Sequence, residues 1–410
     1  MNPLQLFLGI MSSLGGFVDI GELVFAIQGG AKYGYALLWV LVVGTIGIIL
    51  YAEMAGRIAA VLHKPTFEII RERNGRASGL AVLVASNLVN LLTCAAEVGG
   101  IAIVLQMMFG GEYRLMIVAG AGLLLLIVFA LKFQWLERLF GLLGLALLVY
   151  AWAAVSLHPD WKEVALGLVP APPPVDSPGL VVFLYFVVGI FSSVLMPYEI
   201  YFYSSGAIEE KWKPKDLPTN FLNAVLGFTL GSILVMAIII VGAQVFRPAA
   251  IDPQMLTSTV LPVAVAIGTK GVLLALLGML FAIGGAAAET ALAGAYNIAQ
   301  FYGVRWSKDD KPRDVPIFTV AWVGIVVIGT GIAMTGVNPV NIVELSVIFA
   351  VVVLPFTYFP ILQVARDRQL MGVHVNTTLV TTLGWIYFGL IVAASLVAVP
   401  LMVATHMGAG

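Results

Sequence analysis

Apolar residues fall into long runs separated by short polar breaks. Eleven runs are long enough to cross a bilayer, roughly 5–29, 34–62, 78–109, 114–131, 136–157, 179–206, 219–246, 262–302, 315–335, 340–364 and 377–404. Each predicts a helix, because a helix satisfies its backbone polar groups within one lipid-embedded segment. The run 262–302 exceeds one crossing and is expected to tilt or to begin outside the membrane.

Two of these runs are broken, and both breaks carry acid. The first reads LGGFVDIGELVF, with Gly15, Gly16, Asp19, Gly21 and Glu22 inside an apolar stretch. The second reads FSSVLMPYEIYF, with Ser192, Ser193, Met196, Pro197, Tyr198 and Glu199 similarly placed. Gly21 and Pro197 interrupt the helical ladder and free carbonyls. A charge at bilayer depth costs at least ~2.5 kcal/mol. Paired interruptions in the two halves of a membrane protein point to a substrate site.

Composition fits the pattern. Of 410 residues, 60% are hydrophobic and only 10% charged, too few charges to cover a soluble surface of this size. The net charge of −1 offers no argument for a nucleic-acid partner. The single Cys94 excludes an internal disulfide and a thiolate metal cluster. His63, His158, His374 and His406 are too scattered for a metal cluster. No nucleotide, haem or zinc signature appears, and no cleavable leader or soluble ATPase unit is expected. The chain therefore reads as a carrier driven by gradients rather than as an enzyme, with no cofactor.

Lys and Arg set the expected orientation. Sixteen of the 21 basic residues lie in the even-numbered loops or at the end of the second run, and five lie in the odd loops. The even loops are expected to be cytoplasmic. That puts the N-terminus inside and the C-terminus outside, in a multi-pass protein of the plasma (inner) membrane. The Pro-rich segment PAPPPVDSP (170–178) then lies outside, between the fifth and sixth runs. It divides the first ten spans into two sets of five, each starting with a broken helix. An odd number of spans per set inverts one set relative to the other, which is the LeuT-type inverted repeat plus an eleventh helix. The expected units are 1–169, the linker 170–178, 179–366, and a final loop and span over 367–410. A monomer is expected.

Asp19 and Glu22 stand three apart around Gly21, so both carboxylates and freed carbonyls can converge on one cation. The alternative is that the two acids are tied to backbone N–H groups or to a basic partner, though neither broken run holds Lys or Arg. Met196 is either core packing or a soft ligand that favours Mn²⁺, Fe²⁺ or Cd²⁺. Glu199 is either a third acid of the site or a pathway residue. Glu97, in the third run, is either a hydrogen-bonded structural acid or a proton relay. Glu289 lies among small residues suited to close helix packing, with its role open. Glu53, four before Arg57, is expected to form a structural ion pair. Glu344 is expected near the outer surface or vestibule.

At these residues the chain resembles the NRAMP family of proton-coupled divalent-metal transporters. The resemblance covers most of its length. AIQGGAKYGYALLWVLVVGTIGIILYAEMAGRIA (26–59) is similar to the family's first loop and second span, and CAAEVGGIAIVLQMMFG (94–110) to its third. LMPYEIYFYSS (195–205) resembles the sixth-span MPH segment, and LPFTYFPILQVARDRQLMGVHVN (354–376) the end of span ten and the following loop. The resemblance implies a metal held between spans one and six. Asp19 matches the Asp of the DPGN motif, Met196 the Met ligand, Ser193 the carbonyl donor, and Glu97 a third-span Glu linked to proton movement.

The chain also departs from the pattern. DPGN is replaced by DIGE, so Glu22 stands for a neutral Asn. MPH is replaced by MPYE, so Tyr198 stands for a His. Cys94 stands where an acid usually precedes the third-span Glu, and Val353 where a Gln is usual. A phenol, with an unperturbed pKa near ~10, cycles protons poorly at neutral pH. Glu22 adds a hard oxygen that favours Mg²⁺ or Mn²⁺, and Met196 pulls toward softer ions. Glu22 is a second proton-carrier candidate, since an arriving metal would expel its proton.

The expected function is import of a divalent cation (Mn²⁺, Fe²⁺ or Mg²⁺) by alternating access, with proton coupling open. Tyr198 and Glu199 are further candidates for ligand or pathway. A carrier of an organic cation or amino-acid-like solute on the same scaffold is the alternative. A non-transporting membrane sensor or assembly subunit is a third reading, disfavoured because the chain has no soluble output domain.

Overall fold

A computed structural model describes residues 18–408. Gly15 and Gly16, with the first half of the first apolar run, lie outside the described residues. Among the described residues every regular element is helical. The membrane-spanning framework consists of α1 (Ile20–Tyr33), α2 (Leu38–Leu62), α3 (Thr66–Phe109), α4 (Tyr113–Ala130), α5 (Phe133–Gly144), α6 (Leu148–Ser156), α7 (Leu180–Val194) and α8 (Pro197–Glu209). It continues with α9 (Leu217–Val245), α10 (Leu261–Ile267), α11 (Thr269–Tyr302), α12 (Pro316–Ala333), α13 (Pro339–Ala365) and α14 (Thr378–Ala404). Short helical turns occupy some of the connections. Taking α5–α6 and α7–α8 as single segments, ten stretches are long and apolar enough to cross a membrane. The 14 residues of α1 rise only about 21 Å, short of a ~30 Å hydrocarbon core.

Burial divides the helices into a centre and a periphery. About 78% of the apolar windows of α3 and of α7–α8 is buried, against 22% for α14, so α14 turns most of its surface toward lipid. The long α3 packs against α11 and α13, and α1 lies along α9. Small residues allow these approaches: a Cβ at Gly30 of α1 would collide with the Ile239 carbonyl of α9.

The structure also refines several expected boundaries. Helix α3 starts at Thr66, well before the third apolar run, and breaks at Gly75, where φ is +75°. Its first turns carry Glu68, Arg71, Glu72 and Arg73, which apolar run length could not reveal. The long eighth run divides at Gly268 (φ +81°) into α10 and α11. The fifth run begins at Phe133 and tightens through a 3₁₀ turn, Leu145–Leu147, between α5 and α6. Glu53 and Arg57 pair at 2.9 Å as expected, and Arg57 also donates to the His374 carbonyl and to Asn376 Oδ1 (2.6 Å). This guanidinium fastens the loop before α14 to the end of α2.

Candidate ion-binding site

The site is built where α1 begins and where α7 gives way to α8. Asp19 is the N-cap of α1, in extended backbone conformation. Its Oδ1 accepts from the Glu22 backbone N–H at 3.0 Å, and a Glu22 carboxylate oxygen accepts from the Asp19 N–H at 3.1 Å. This reciprocal capping box satisfies donors that a helix start leaves orphaned. A third donor, Ile20 N–H, goes to Glu97 Oε1 on α3 at 3.2 Å. Thus three acids from two helices close the first turn of α1, where the helix dipole also favours negative charge. The reading that Asp19 and Glu22 are tied to backbone N–H groups is realised here, and it leaves oxygens to spare. Glu97 Oε2 is buried without a hydrogen-bond partner.

The second break has a covalent cause. Ser193 O would accept, in a continuous helix, from the N–H of residue 197, and Pro197 has none. The residue before a proline is pushed to extended conformation, and Met196 has ψ 132°. Helix α7 therefore stops at Val194, and α8 restarts with Pro197 in its first turn. The exposed backbone is held by α13: Tyr358 Oη donates to the Leu195 carbonyl at 3.1 Å, and Ser192 Oγ to the Val347 carbonyl at 2.7 Å. Met196 and Ser193 are both buried, and the Ser193 hydroxyl is spent on the Ile190 carbonyl at 3.0 Å.

One hydrogen bond joins the start of α1 to the break between α7 and α8. Tyr198 Oη, in the first turn of α8, donates to Asp19 Oδ2 at 3.0 Å. Glu199 follows directly, and Asp19 lies within electrostatic range of Glu22, Glu97 and Glu199. Among the described residues no ion pair involves any of these four acids. Nor do three His, Cys, Asp or Glu side chains converge as a ready-made metal cluster. The candidate donors are instead two carboxylates, a thioether and a carbonyl. Gly21 is needed at this spot: a Cβ there would sit 2.8 Å from Asp19 Oδ1 and 3.0 Å from a Val347 methyl.

Glu344 is buried, 4% exposed, and lies within electrostatic range of Lys32 and Asp252. Sequence reading missed Tyr358 and Ser192 as supports of the break. A hydroxyl three residues after Pro355 was the available signal for the first, but its partner lies 163 residues away.

Comparison with known proteins fits this architecture. The profile of the Nramp family (natural resistance-associated macrophage protein-like) matches residues 10–400. A divalent metal cation transporter of Levilactobacillus brevis is 25% identical over 390 residues, covering 90% of this chain and 83% of the relative. One from Listeria monocytogenes is 26% identical over 391 residues, covering 90% and 84%. The crystal structure of the Eremococcus coleocola manganese transporter superposes with TM-score 0.77 at 21% identity, over 98% of this chain and 87% of the other. Mhp1, a nucleobase–cation symport transporter in a closed conformation, superposes with TM-score 0.58 at 15% identity, over 97% and 91%. These likenesses show the fold, a LeuT-type helical bundle. The match to the family profile over nearly its whole length shows that the chain belongs to the Nramp family.

Proposed function

We propose that this chain imports divalent metal cations across the plasma membrane by alternating access. The observation that carries the reading is the group of buried acids, Asp19, Glu22, Glu97 and Glu199, gathered where the start of α1 meets the α7–α8 break, with no basic partner among the described residues. Several unpaired carboxylates in low dielectric call for a cation or for protons. A divalent ion and an exchangeable proton both answer that need. Asp19 and Glu22 bind the ion, Met196 contributes its sulfur and tunes selectivity, and the Ser193 carbonyl completes the shell. Glu22 supplies charge that a neutral amide would not, which suits a hard ion such as Mn²⁺ or Mg²⁺. Glu97, with one oxygen already on α1 and the other unpartnered, is the proton carrier we assign, with Glu22 as second candidate. Tyr198 positions Asp19 in place of titrating itself. The units 1–169 and 179–366, joined by 170–178 and followed by 367–410, would rock about the breaks as a monomer. The N-terminus would face the cytoplasm and the C-terminus the outside.

The test is ion uptake into proteoliposomes containing a trapped pH dye, with Mn²⁺ and Mg²⁺ offered separately. Mn²⁺ uptake with acidification, abolished in the Asp19→Ala/Glu22→Ala double variant, is the expected result. Mg²⁺ uptake without acidification would retain the site and remove the proton. No flux of either ion, or competition of the metal by an organic amine, would defeat the metal reading.

A further inference from the structure

A second acidic feature adjoins the central site at Glu199 and extends along α8. One face of α8 bears Glu199, Phe202, Tyr203, Gly206 and Ala207, continued by the C-cap residue Glu210, at the three- and four-residue spacing of a helical stripe. This stripe lines a cavity of about 40 Å³, which Glu137 of α5, Glu289 of α11 and Asn223 of α9 also face. The stripe has an acid at each end, about 16 Å apart along the axis. Gly206 in its middle lets the Phe133 ring of α5 pack closely, since a Cβ there would stand 2.8 Å from that ring and 3.8 Å from a Glu137 carboxylate oxygen. Glu289 is buried, 7% exposed, and lies within electrostatic range of Glu199 and Glu137. Glu210, the outermost, accepts from Trp212 Nε1 at 2.8 Å and is near Arg138. Among the described residues, neither Glu199 nor Glu289 takes part in an ion pair.

Acids alone do not define a site, but Asn223 adds an independent sign. It is 4% exposed, lines the same cavity, and its side-chain carbonyl Oδ1 is buried with no hydrogen-bond partner. A buried orphan acceptor is costly unless something occupies the space before it. The cavity is large enough for about three waters. All its donors are oxygens, and no three acids converge closely enough to strip an ion.

We infer that this cavity is a second cation station, holding a partly hydrated divalent cation between Glu199, Glu289, Glu137 and the Asn223 carbonyl on its way from the central site to the Glu210 end. The inference rests on the reading of the chain as a divalent-cation carrier. With few direct ligands the hold is weak enough for the ion to leave, as a waypoint requires.

Mn²⁺ bound per chain, measured by equilibrium dialysis of the full-length protein in nanodiscs, tests it. Two ions are expected for the unaltered chain, the second weak. Glu137→Gln/Glu289→Gln should lose the weak ion and keep the tight one, and Asp19→Asn/Glu22→Gln should do the reverse. Gel filtration and thermal melting identify any variant that fails to fold. Asn223→Asp adds a carboxylate without removing one, and should tighten the weak ion by roughly tenfold. A single ion unaffected by Glu137→Gln/Glu289→Gln, or a weak affinity unchanged by Asn223→Asp, overturns the second station and leaves the central site standing. Binding unaffected by Asp19→Asn/Glu22→Gln overturns the central reading instead.

Discussion

At the scale of single residues, the site is a set of side chains with two duties. Asp19 caps a helix with one oxygen and receives Tyr198 with the other. Removing the phenol hydroxyl leaves a buried carboxylate oxygen short of a donor. Tyr198→Phe should therefore lower the melting temperature by the equivalent of about 1.5–3 kcal/mol, the range for a hydrogen bond to a charged group, with the fold retained. An unchanged melting temperature would show that the bond contributes nothing. Asp19, Glu22 and Met196 were legible in the sequence because acid and thioether stand out inside broken apolar runs. The Tyr198–Asp19 bond was not, since its partners are 179 residues apart and only the folded bundle brings them together. Asn223 was invisible for another reason: an amide in an apolar run reads as packing until its neighbours are known.

At the scale of elements, the break between α7 and α8 depends on one missing N–H. Pro197→Ala restores a donor for the Ser193 carbonyl and permits a continuous helix. Transport should fall roughly tenfold, about 1.4 kcal/mol, while helical content by circular dichroism stays level or rises. Full transport in that variant would remove the carbonyl from the ligand shell. Run length located the spans well because twenty or so apolar residues leave little choice in lipid. It could not place the helical start of α3, whose polar turns lie ahead of the apolar run, nor the division at Gly268, where both flanks are apolar.

At the scale of the whole molecule, orientation can be checked directly. Cys94 is fully buried, so introduced thiols report without background. Lys213→Cys should react with a membrane-impermeant maleimide only after the membrane is opened, and His406→Cys in intact cells. The reverse pattern would invert the proposed topology. Charge counting is what supports the proposed orientation, whereas the packing of α1 against α9 and of α3 against α11 and α13 left only small-residue traces in the sequence. The capping box has a further consequence for the working cycle. An ion that draws Asp19 and Glu22 from the N–H groups they cap must displace bonds costing about 1 kcal/mol each. Two of them weaken the hold by roughly thirtyfold. Affinity forgone in this way shortens residence time, and a carrier whose own helix start competes for its load can turn over quickly.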